Sequence, residues 1–278
     1  MAQPIEITKT SDPLEQIWPQ MRVEAATAAA QEPVLASFLN AMVLLHETFS
    51  EALSYRIAQK LGNGDVNALI LREVCQQAHA ADAEIVRAGL ADAKATFERD
   101  AACRNVLYPL LYFKGYQALQ AYRIAHWLWK QERGTLALHL QSRISEIFDV
   151  DIHPGARIGR GIMIDHATGV VIGETAVVGD DVSLLHGVTL GGTGKESEDR
   201  HPKVGRGVLI GAGAKILGNI SIGEEAKIAS GSVVLKDVGA HCTVAGVPAR
   251  PVGRCNRPPA ESMDQKIYID PDIALRRP

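Results

Sequence analysis

A six-residue period runs through the second half of this 278-residue sequence and restricts its fold more than any other feature. Aliphatic residues recur at every sixth position, with a two-residue slip at Val170-Val171 and an interruption after Leu190. The repeated positions are Ile152, Ile158, Ile164, Ile172, Val178, Leu184, Leu190, Val204, Ile210, Ile216, Ile222, Ile228 and Val234. Each hexad suits a short strand and a tight turn, and three hexads close one triangular coil. The period therefore predicts a left-handed parallel β-helix of hexapeptide repeats.

The residues before position 149 have a different composition. Thirteen of the 14 aromatic residues lie at or before Phe148, and 20 of the 25 glycines follow it. A thin β-helix interior has little room for aromatic rings, whereas a helical core uses them. Apolar residues at helical spacing predict helices here, including a long one over residues 109–130 and another over 135–148, and Asp65 is expected to cap one of them.

The predicted fold class is therefore α+β, in three parts. An α-helical domain covers residues 1–148, a left-handed β-helix covers 149–255, and a flexible C-terminal tail rich in proline and charge covers 256–278. A polar insertion at residues 191–203 breaks the hexads and cannot enter the coil, so we expect it to be extruded as a loop. Loops on a rigid scaffold often carry binding chemistry.

Charge and cysteine content exclude several classes of function. The formal net charge is −3 and no basic cluster occurs, so neither nucleic acid nor an anionic membrane is expected as a partner. The apolar runs are too short to span a bilayer, and the first residues lack a signal-peptide pattern. Four scattered cysteines without a CxxC pair fit a reducing cytoplasm and predict neither disulfides nor a thiolate metal site.

Five strings stand out along the chain: VDIHPGA (150–156), GIMIDHATG (161–169), VTLGGTGK (188–195), DRHPK (199–203) and AGVPAR (245–250). Together with the helical stretch 37–129, they resemble the bacterial serine O-acetyltransferase family of hexapeptide acyltransferases. The resemblance covers residues 14–255. It implies that acetyl passes from acetyl-CoA to the hydroxyl of L-serine, giving O-acetyl-L-serine in the first step of cysteine biosynthesis. Neither Cys242 nor Cys255 has neighbouring Asp or His residues that would make it a nucleophile, so we expect direct transfer, and no metal is expected.

The family motifs also imply roles for individual residues. His166 would be the catalytic general base and Asp151 would orient its imidazole. Asp100 and Asp165 would bind the ammonium of serine. Arg200 and His201 would bind its carboxylate. The positions that match the acetyl-CoA site of the family are Gly192, Thr193, Ala212, Lys227, Ser230 and Arg250.

The resemblance implies partners as well as substrates. It suggests a cytoplasmic homohexamer built as a dimer of trimers, with the helical part as the oligomerisation domain and with L-cysteine as a feedback inhibitor at the serine site. Family members that dock onto cysteine synthase do so through a tail ending in isoleucine. This tail ends differently, so either Ile273 or Leu275 is a substitute anchor or the complex does not form, and we expect no tight complex.

Alternatives remain open from the sequence alone. The acceptor could be homoserine or a sugar, or the β-helix could be a zinc hydratase of the carbonic anhydrase type. The histidines available to such a zinc site are His153, His166, His186 and His201. Asp100 could be merely solvated, His153 could cap a coil, and His186 could be an ordinary surface residue.

Overall fold

A computed structural model of the chain describes residues 12–194 and 197–274, and its first part is helical. The helices are α1 (Ile17–Gln31), α2 (Ala36–Leu39), α3 (Phe49–Leu61), α4 (Ala68–Ala81), α5 (Ala83–Arg99), α6 (Tyr108–Tyr112), α7 (Lys114–Lys130) and α8 (Gly134–Phe148). Short 3-10 turns at Pro13–Gln16 and Pro33–Leu35 precede α1 and α2, and a π-helical turn at Asn40–Leu44 follows α2. No helix within the described ranges is long and apolar enough to cross a membrane.

The start of α4 differs from the sequence prediction. Asn67 is its N-cap, and the Asn67 side chain accepts the Ile70 N–H at 3.1 Å. Asp65 lies two residues earlier, where Asn63 Oδ1 accepts the Asp65 N–H at 3.0 Å and holds a tight turn. The prediction that Asp65 caps a helix is wrong, because this side-chain-to-backbone turn competes with the helix for the same residues.

The apolar stretch over residues 109–130 is two helices, not one. Phe113 has extended backbone angles (φ −89°, ψ 108°) and separates α6 from α7. The first turn of α7 lies so close to the β-helix that a Cβ on Gly115 would stand 2.1 Å from the Ile164 carbonyl oxygen. The break redirects α7 onto the β-helix, so tertiary packing overrides the helical pattern of the stretch.

The second half is a parallel β-helix. Its strands are β1 (Val150–Ile152), β2 (Arg157–Ile158), β3 (Met163–Ile164), β4 (Val170–Ile172), β5 (Val177–Val178), β6 (Ser183–Leu184), β7 (Thr189–Gly191), β8 (Lys203–Val204), β9 (Leu209–Ile210), β10 (Lys215–Leu217), β11 (Ser221–Ile222), β12 (Lys227–Ile228), β13 (Val233–Val234), β14 (Cys242–Gly246) and β15 (Ala249–Arg254). Sheet A holds β1, β4, β7, β10 and β13, sheet B holds β2, β5, β8 and β11, and sheet C holds β3, β6, β9, β12, β14 and β15. The three sheets are the faces of a triangular prism.

The repeated aliphatic residues fill the interior of this prism. Twelve of the 13 are at most 7% exposed, and Ile158 is half-buried. A second set of small or branched residues, four places further along the hexads, is also buried: Ala156, Ala176, Val182, Val208, Ala214 and Ala226. The prediction of a hexapeptide β-helix is confirmed, and the interior contains the narrow side chains that the composition indicates.

A buried ion pair joins the helices to the first coil. Asp92 on α5 is fully buried and accepts from Arg123 Nη2 on α7 at 2.7 Å. The same guanidinium donates to the Gly159 carbonyl at 2.7 Å, and Asp92 Oδ1 accepts the Ile162 N–H at 2.8 Å. Buried charges are tolerated where they are paired and hydrogen-bonded, and here those bonds cross from helix to β-helix.

The described part of the C-terminal tail packs against sheet C, although the sequence predicts a flexible tail. β15 turns back antiparallel along β14. Ser183 Oγ on β6 donates to the Ala260 carbonyl at 3.0 Å, and Lys227 Nζ on β12 donates to the Asp264 and Lys266 carbonyls at 3.1 and 2.7 Å. Two short helices, α9 (Pro259–Ser262) and α10 (Pro271–Ala274), belong to this segment.

Candidate active site

The turns of the β-helix form columns, because each coil repeats the one before it. The turns that lead from sheet C to sheet A form edge 1 (165–169, 185–188, 211–214 and 229–232). The turns that lead from sheet A to sheet B form edge 2 (153–156, 173–176, 192–202 and 218–220). Sheet A separates the two edges by the length of its strands, and three residues of strand span ~10 Å. The predicted site residues lie on both edges.

Edge 1 brings His166 into line with two of the predicted acetyl-CoA positions. The strand registers place His166, His186, Ala212 and Ser230 at the same point of successive turns. Coils stack at ~4.8 Å, so the column from His166 to Ser230 is ~14 Å long. The His166 and His186 rings meet edge to face with their centroids 5.9 Å apart. His186 therefore belongs to the same column as the predicted base.

His166 projects from the prism because its turn is longer than the other turns of edge 1. Val150 pairs with Val170, whereas Val171 pairs with Thr189, so the first spacing is two residues longer than the second. The two extra residues fall in the turn that contains His166. The His166 backbone is left-handed (φ 54°), and its side chain is 76% exposed. The slip in the hexad pattern is the sequence signal of this projection.

His166 lies beside the Asp165 carboxylate. Its Nε2 lies 3.8 Å from Asp165 Oδ1, and the Asp165 side chain is 24% exposed. Among the described residues no hydrogen bond joins His166 to Asp151. Asp151 Oδ1 instead accepts from Gln141 Nε2 on α8 at 2.7 Å. The predicted pairing of Asp151 with His166 thus stays a prediction.

Asp100 directly follows α5 and is held by its own turn. Its Oδ1 accepts the Ala102 N–H at 2.8 Å, and its carbonyl accepts the Cys103 N–H at 2.9 Å. Neither Asp165 nor His166 contacts it through a hydrogen bond in the described parts of the chain. The turn fixes the direction of the carboxylate and leaves Oδ2 without a hydrogen bond to those residues.

Edge 2 carries Arg200 and His201 just before β8. Arg200 Nη2 donates to Glu174 Oε2 at 2.7 Å. His201 Nδ1 accepts the Thr175 N–H at 3.2 Å, so the neutral ring carries its proton on Nε2. The ring lies where Gly173 has no side chain, because a Cβ there would stand 2.0 Å from His201 Nε2. One coil corner thus orients both side chains.

The imidazoles of edge 2 are held neutral. Burial lowers the pKa of His201, and the positive charges of Arg200 and Lys203 lower it further. Burial is also the main cause of the lowered pKa of His153, whose Nδ1 accepts the Gly155 N–H at 3.0 Å. This bond is the capping role that the sequence left open for His153. At neutral pH both rings are therefore uncharged hydrogen-bonding groups.

Within a single copy of the chain, the described residues of edge 1 and edge 2 do not come together. Among residues 12–194 and 197–274, no hydrogen bond or ion pair links Asp165 or His166 to Arg200 or His201. Within the same ranges, no group of three or more His, Cys, Asp or Glu residues is arranged to hold a metal ion. The four histidines of the zinc alternative are divided between the edges, with His166 and His186 on edge 1 and the other two on edge 2.

Comparison with known proteins connects this geometry to a family. Residues 17–121 match the family described as "Serine acetyltransferase, N-terminal", and residues 201–236 match "Bacterial transferase hexapeptide (six repeats)". The chain is 55% identical over 253 residues to the serine acetyltransferase of Escherichia coli K12, an alignment that covers 91% of this chain and 93% of that protein. The chain belongs to the serine acetyltransferase family.

Solved serine acetyltransferases have the same fold. One in complex with cysteine has a TM-score of 0.91 at 52% identity, covering 92% of this chain and 100% of that one. The Brucella abortus enzyme with coenzyme A has a TM-score of 0.85 at 53% identity, covering 88% and 99%. The Neisseria gonorrhoeae enzyme with serine has a TM-score of 0.83 at 54% identity, covering 87% and 98%. The expected helical segment and β-helix are those of serine acetyltransferases.

The positions that the serine acetyltransferase motifs assign to acetyl-CoA lie in three places. Ala212 and Ser230 lie on edge 1. Gly192 and Thr193 open the edge 2 loop, where Thr193 would contact a Cβ placed on Gly218. The other two lie on neither edge. Lys227 is buried under the tail, with its ammonium 5.9 Å from the Tyr268 ring, and the exposed Arg250 donates to the carbonyl of its neighbour Ala249.

Sequence reasoning missed three residues that hold the candidate site residues by hydrogen bonds. Glu174 and Thr175 follow the hexad residue Ile172, and counting hexads alone would have placed them on edge 2. Gln141 gave no such signal, since its contact with Asp151 depends on how α8 packs against β1. Contacts between a helix and a strand are not encoded in the period of either.

Proposed function

We propose that this chain transfers the acetyl group of acetyl-CoA to the hydroxyl of L-serine, giving O-acetyl-L-serine and CoA, the first step of cysteine biosynthesis. The observation that carries this proposal is the 55% identity to the serine acetyltransferase of Escherichia coli over 91% of this chain. The serine oxygen forms a bond to the acetyl carbonyl carbon, and the carbon–sulfur bond of the thioester breaks. The hydroxyl proton leaves to a base and is returned to the CoA sulfur.

Edge 1 supplies the base and part of the ammonium site, together with Asp151 on β1 and Asp100 after α5. His166 takes the hydroxyl proton, and its exposed imidazole is free to meet a substrate. Asp151 orients the imidazole and stabilises the imidazolium as it forms. Asp165 and Asp100 bind the ammonium of serine, and the turn at Asp100 presents a carboxylate oxygen for it.

The side chains on edge 2 supply the carboxylate site. Arg200 and His201 bind the serine carboxylate, and the tautomer of His201 provides an Nε2–H donor for it. Direct transfer needs no covalent acetyl-enzyme, and metal is not part of the proposal. L-cysteine competes at the same site, in keeping with the relative solved in complex with cysteine.

A complete site forms between two copies of the chain. Edge 1 and edge 2 lie at opposite ends of the sheet A strands, so edge 1 of one copy meets edge 2 of the next copy in a trimer. Acetyl-CoA then lies along the His166–Ser230 column and reaches Gly192 and Thr193 of the neighbour. The helical domain, residues 1–148, joins two trimers into a cytoplasmic homohexamer.

The tail is not expected to hold cysteine synthase tightly. Ile273 belongs to α10 and lines a cavity of about 760 Å³ at the end of the β-helix, while Leu275 lies outside the described residues. A pull-down with the cognate synthase, using the full chain and a form lacking the last ten residues, tests this. A complex that depends on those residues would contradict it.

The function is tested by CoA release with L-serine as acceptor. His166→Asn is the variant of choice because asparagine tolerates the left-handed backbone at this position. We expect kcat to fall about 10²- to 10⁴-fold, the usual contribution of a general base. His241→Asn is the matched control, since His241 is exposed, left-handed (φ 55°) and away from both edges.

Three results would count against the proposal. Release with L-homoserine but not L-serine would change the acceptor. Full activity in His166→Asn would remove the proposed base. Burst-phase trapping of an acetylated enzyme would contradict direct transfer.

A further inference from the structure

Helix α5 forms hydrogen bonds with both the carbonyl and the N–H of a single peptide unit in the first coil. Arg99 Nη1 donates to the Gly161 carbonyl at 2.9 Å, and Asp92 Oδ1 accepts the Ile162 N–H at 2.8 Å. Arg99 and Asp92 are seven residues apart on α5, so both project from one face of the helix. The Arg99 side chain is 7% exposed and that of Asp92 is fully buried. We call this arrangement the α5 clamp.

Arg99 extends the α5 clamp to the second coil. Its Nη1 also lies 3.3 Å from the Asp181 carbonyl and 3.2 Å from Ser183 Oγ, and its Nη2 lies 3.5 Å from Asp181 Oδ1. These groups stand where β3 and β6 begin. The other ends of the same two strands lead directly into His166 and His186 on edge 1. One guanidinium therefore sets the end of α5 against both coils that carry the edge 1 imidazoles.

We propose that Arg99 and Asp92 are positioning residues that set Asp100 relative to His166. Asp100 is the next residue after Arg99, and its turn fixes the carboxylate direction. The peptide bound by the α5 clamp, Gly161–Ile162, is separated from Asp165-His166 by only the two-residue strand β3. The α5 clamp thus links the two halves of the ammonium and base site through short, buried elements. This inference rests on the proposed function, in which Asp100 binds the serine ammonium.

The chemistry of the α5 clamp makes Arg99→Lys the informative variant. A guanidinium donates from two nitrogens at fixed angles, whereas a lysine ammonium keeps the charge but cannot reproduce the fork. Small displacements of a substrate-binding group have large effects on reaction rates. We expect Arg99→Lys to raise the KM for serine about tenfold and to leave the KM for acetyl-CoA within about twofold. Arg87→Lys, on the same helix but 43% exposed, is the matched control and should change neither.

A double-mutant cycle with Asp100→Asn separates positioning from general destabilisation. If Arg99 acts through Asp100, Arg99→Lys has no further effect on serine KM once Asp100 is replaced. Equal increases in both backgrounds, or no increase in a folded Arg99→Lys protein, would overturn the inference. If Arg99→Lys does not fold, Asp92→Asn and Asp181→Asn are measured in the same cycle and decide in the same way.

The two proposals fail differently. A wild-type protein that does not use serine removes the proposed function and this inference with it. A wild-type protein that uses serine, together with zero coupling between Arg99 and Asp100, removes only the inference.

Discussion

The His201 imidazole occupies space that any residue other than glycine at position 173 would fill. Thr175 completes the arrangement, because its Oγ1 accepts the N–H groups of Arg200 and His201 at 3.0 and 3.1 Å. The same hydroxyl lies 2.9 Å from His201 Nδ1. A glycine and a threonine on one turn therefore determine where the Arg200 and His201 side chains point.

Gly173→Ala tests this arrangement. The new Cβ would stand 2.0 Å from His201 Nε2, so the ring must leave its position. We expect serine KM to rise about tenfold or more, since misplacement of a binding group is costly, with Tm lowered by a few degrees. Steady-state kinetics and thermal unfolding measure both. Gly239→Ala is the control, because a Cβ there has no heavy atom within 4 Å. Unchanged serine KM in a folded Gly173→Ala protein would show that His201 does not bind serine.

The pair α3 and α4 contains a buried histidine that the proposed reaction does not use. His79 Nδ1 lies 2.9 Å from Ser54 Oγ, which itself donates to the Ser50 carbonyl at 2.7 Å. His79 Nε2 is buried without a hydrogen-bond partner among the described residues. Burial lowers the pKa of His79 from 6.5 to about 4. The helix pair therefore holds this ring neutral.

Acid should weaken the helical half through His79. The folded pKa lies below the unfolded one, so the unfolded state binds the extra proton as pH falls below 6.5 toward 4. Between pH 7 and pH 5 this linkage removes about 2 kcal/mol from the free energy of unfolding. Over the same interval, the free energy of unfolding of His79→Leu should fall by about 2 kcal/mol less than that of the wild type. Urea unfolding at both pH values measures the difference. Equal pH dependence in the two proteins would assign the effect to other groups.

At the level of elements, periodic features were predictable and contacts between elements were not. The hexad residues appear inside the prism because a period of six is a property of the chain itself. The break at Phe113 depends instead on how closely Gly115 approaches Ile164, which no local pattern reports. Similarly, Lys227 matches a ligand-binding position by motif, yet its ammonium meets carbonyls from a tail nearly forty residues further along. The motifs proposed candidate residues one by one, but the division of those residues between two edges needed the register.

The whole molecule offers a test of the division between edges. His166→Asn disables edge 1, and Arg200→Gln disables edge 2. If each site uses edge 1 of one copy and edge 2 of the next, a trimer that contains both variants regains one of its three sites, about a third of the wild-type activity, since an intact edge 1 meets an intact edge 2 at one interface. Co-expression with two different tags and tandem purification provides the mixed protein. Activity no higher than that of the better single variant would mean that each chain builds its own site.

Because of the uneven placement of aromatic residues, tryptophan fluorescence reports on only one half of the molecule. Trp18, Trp127 and Trp129 all lie in the helices, and Tyr268 is the sole aromatic residue after Phe148. Tryptophan emission therefore monitors the unfolding of the helical half and does not report on the β-helix. Trp129 is the exception at the boundary, because its ring meets that of His153 on the first coil at 5.1 Å. A gap between the emission and circular-dichroism transitions would show the two halves melting separately, with no label attached.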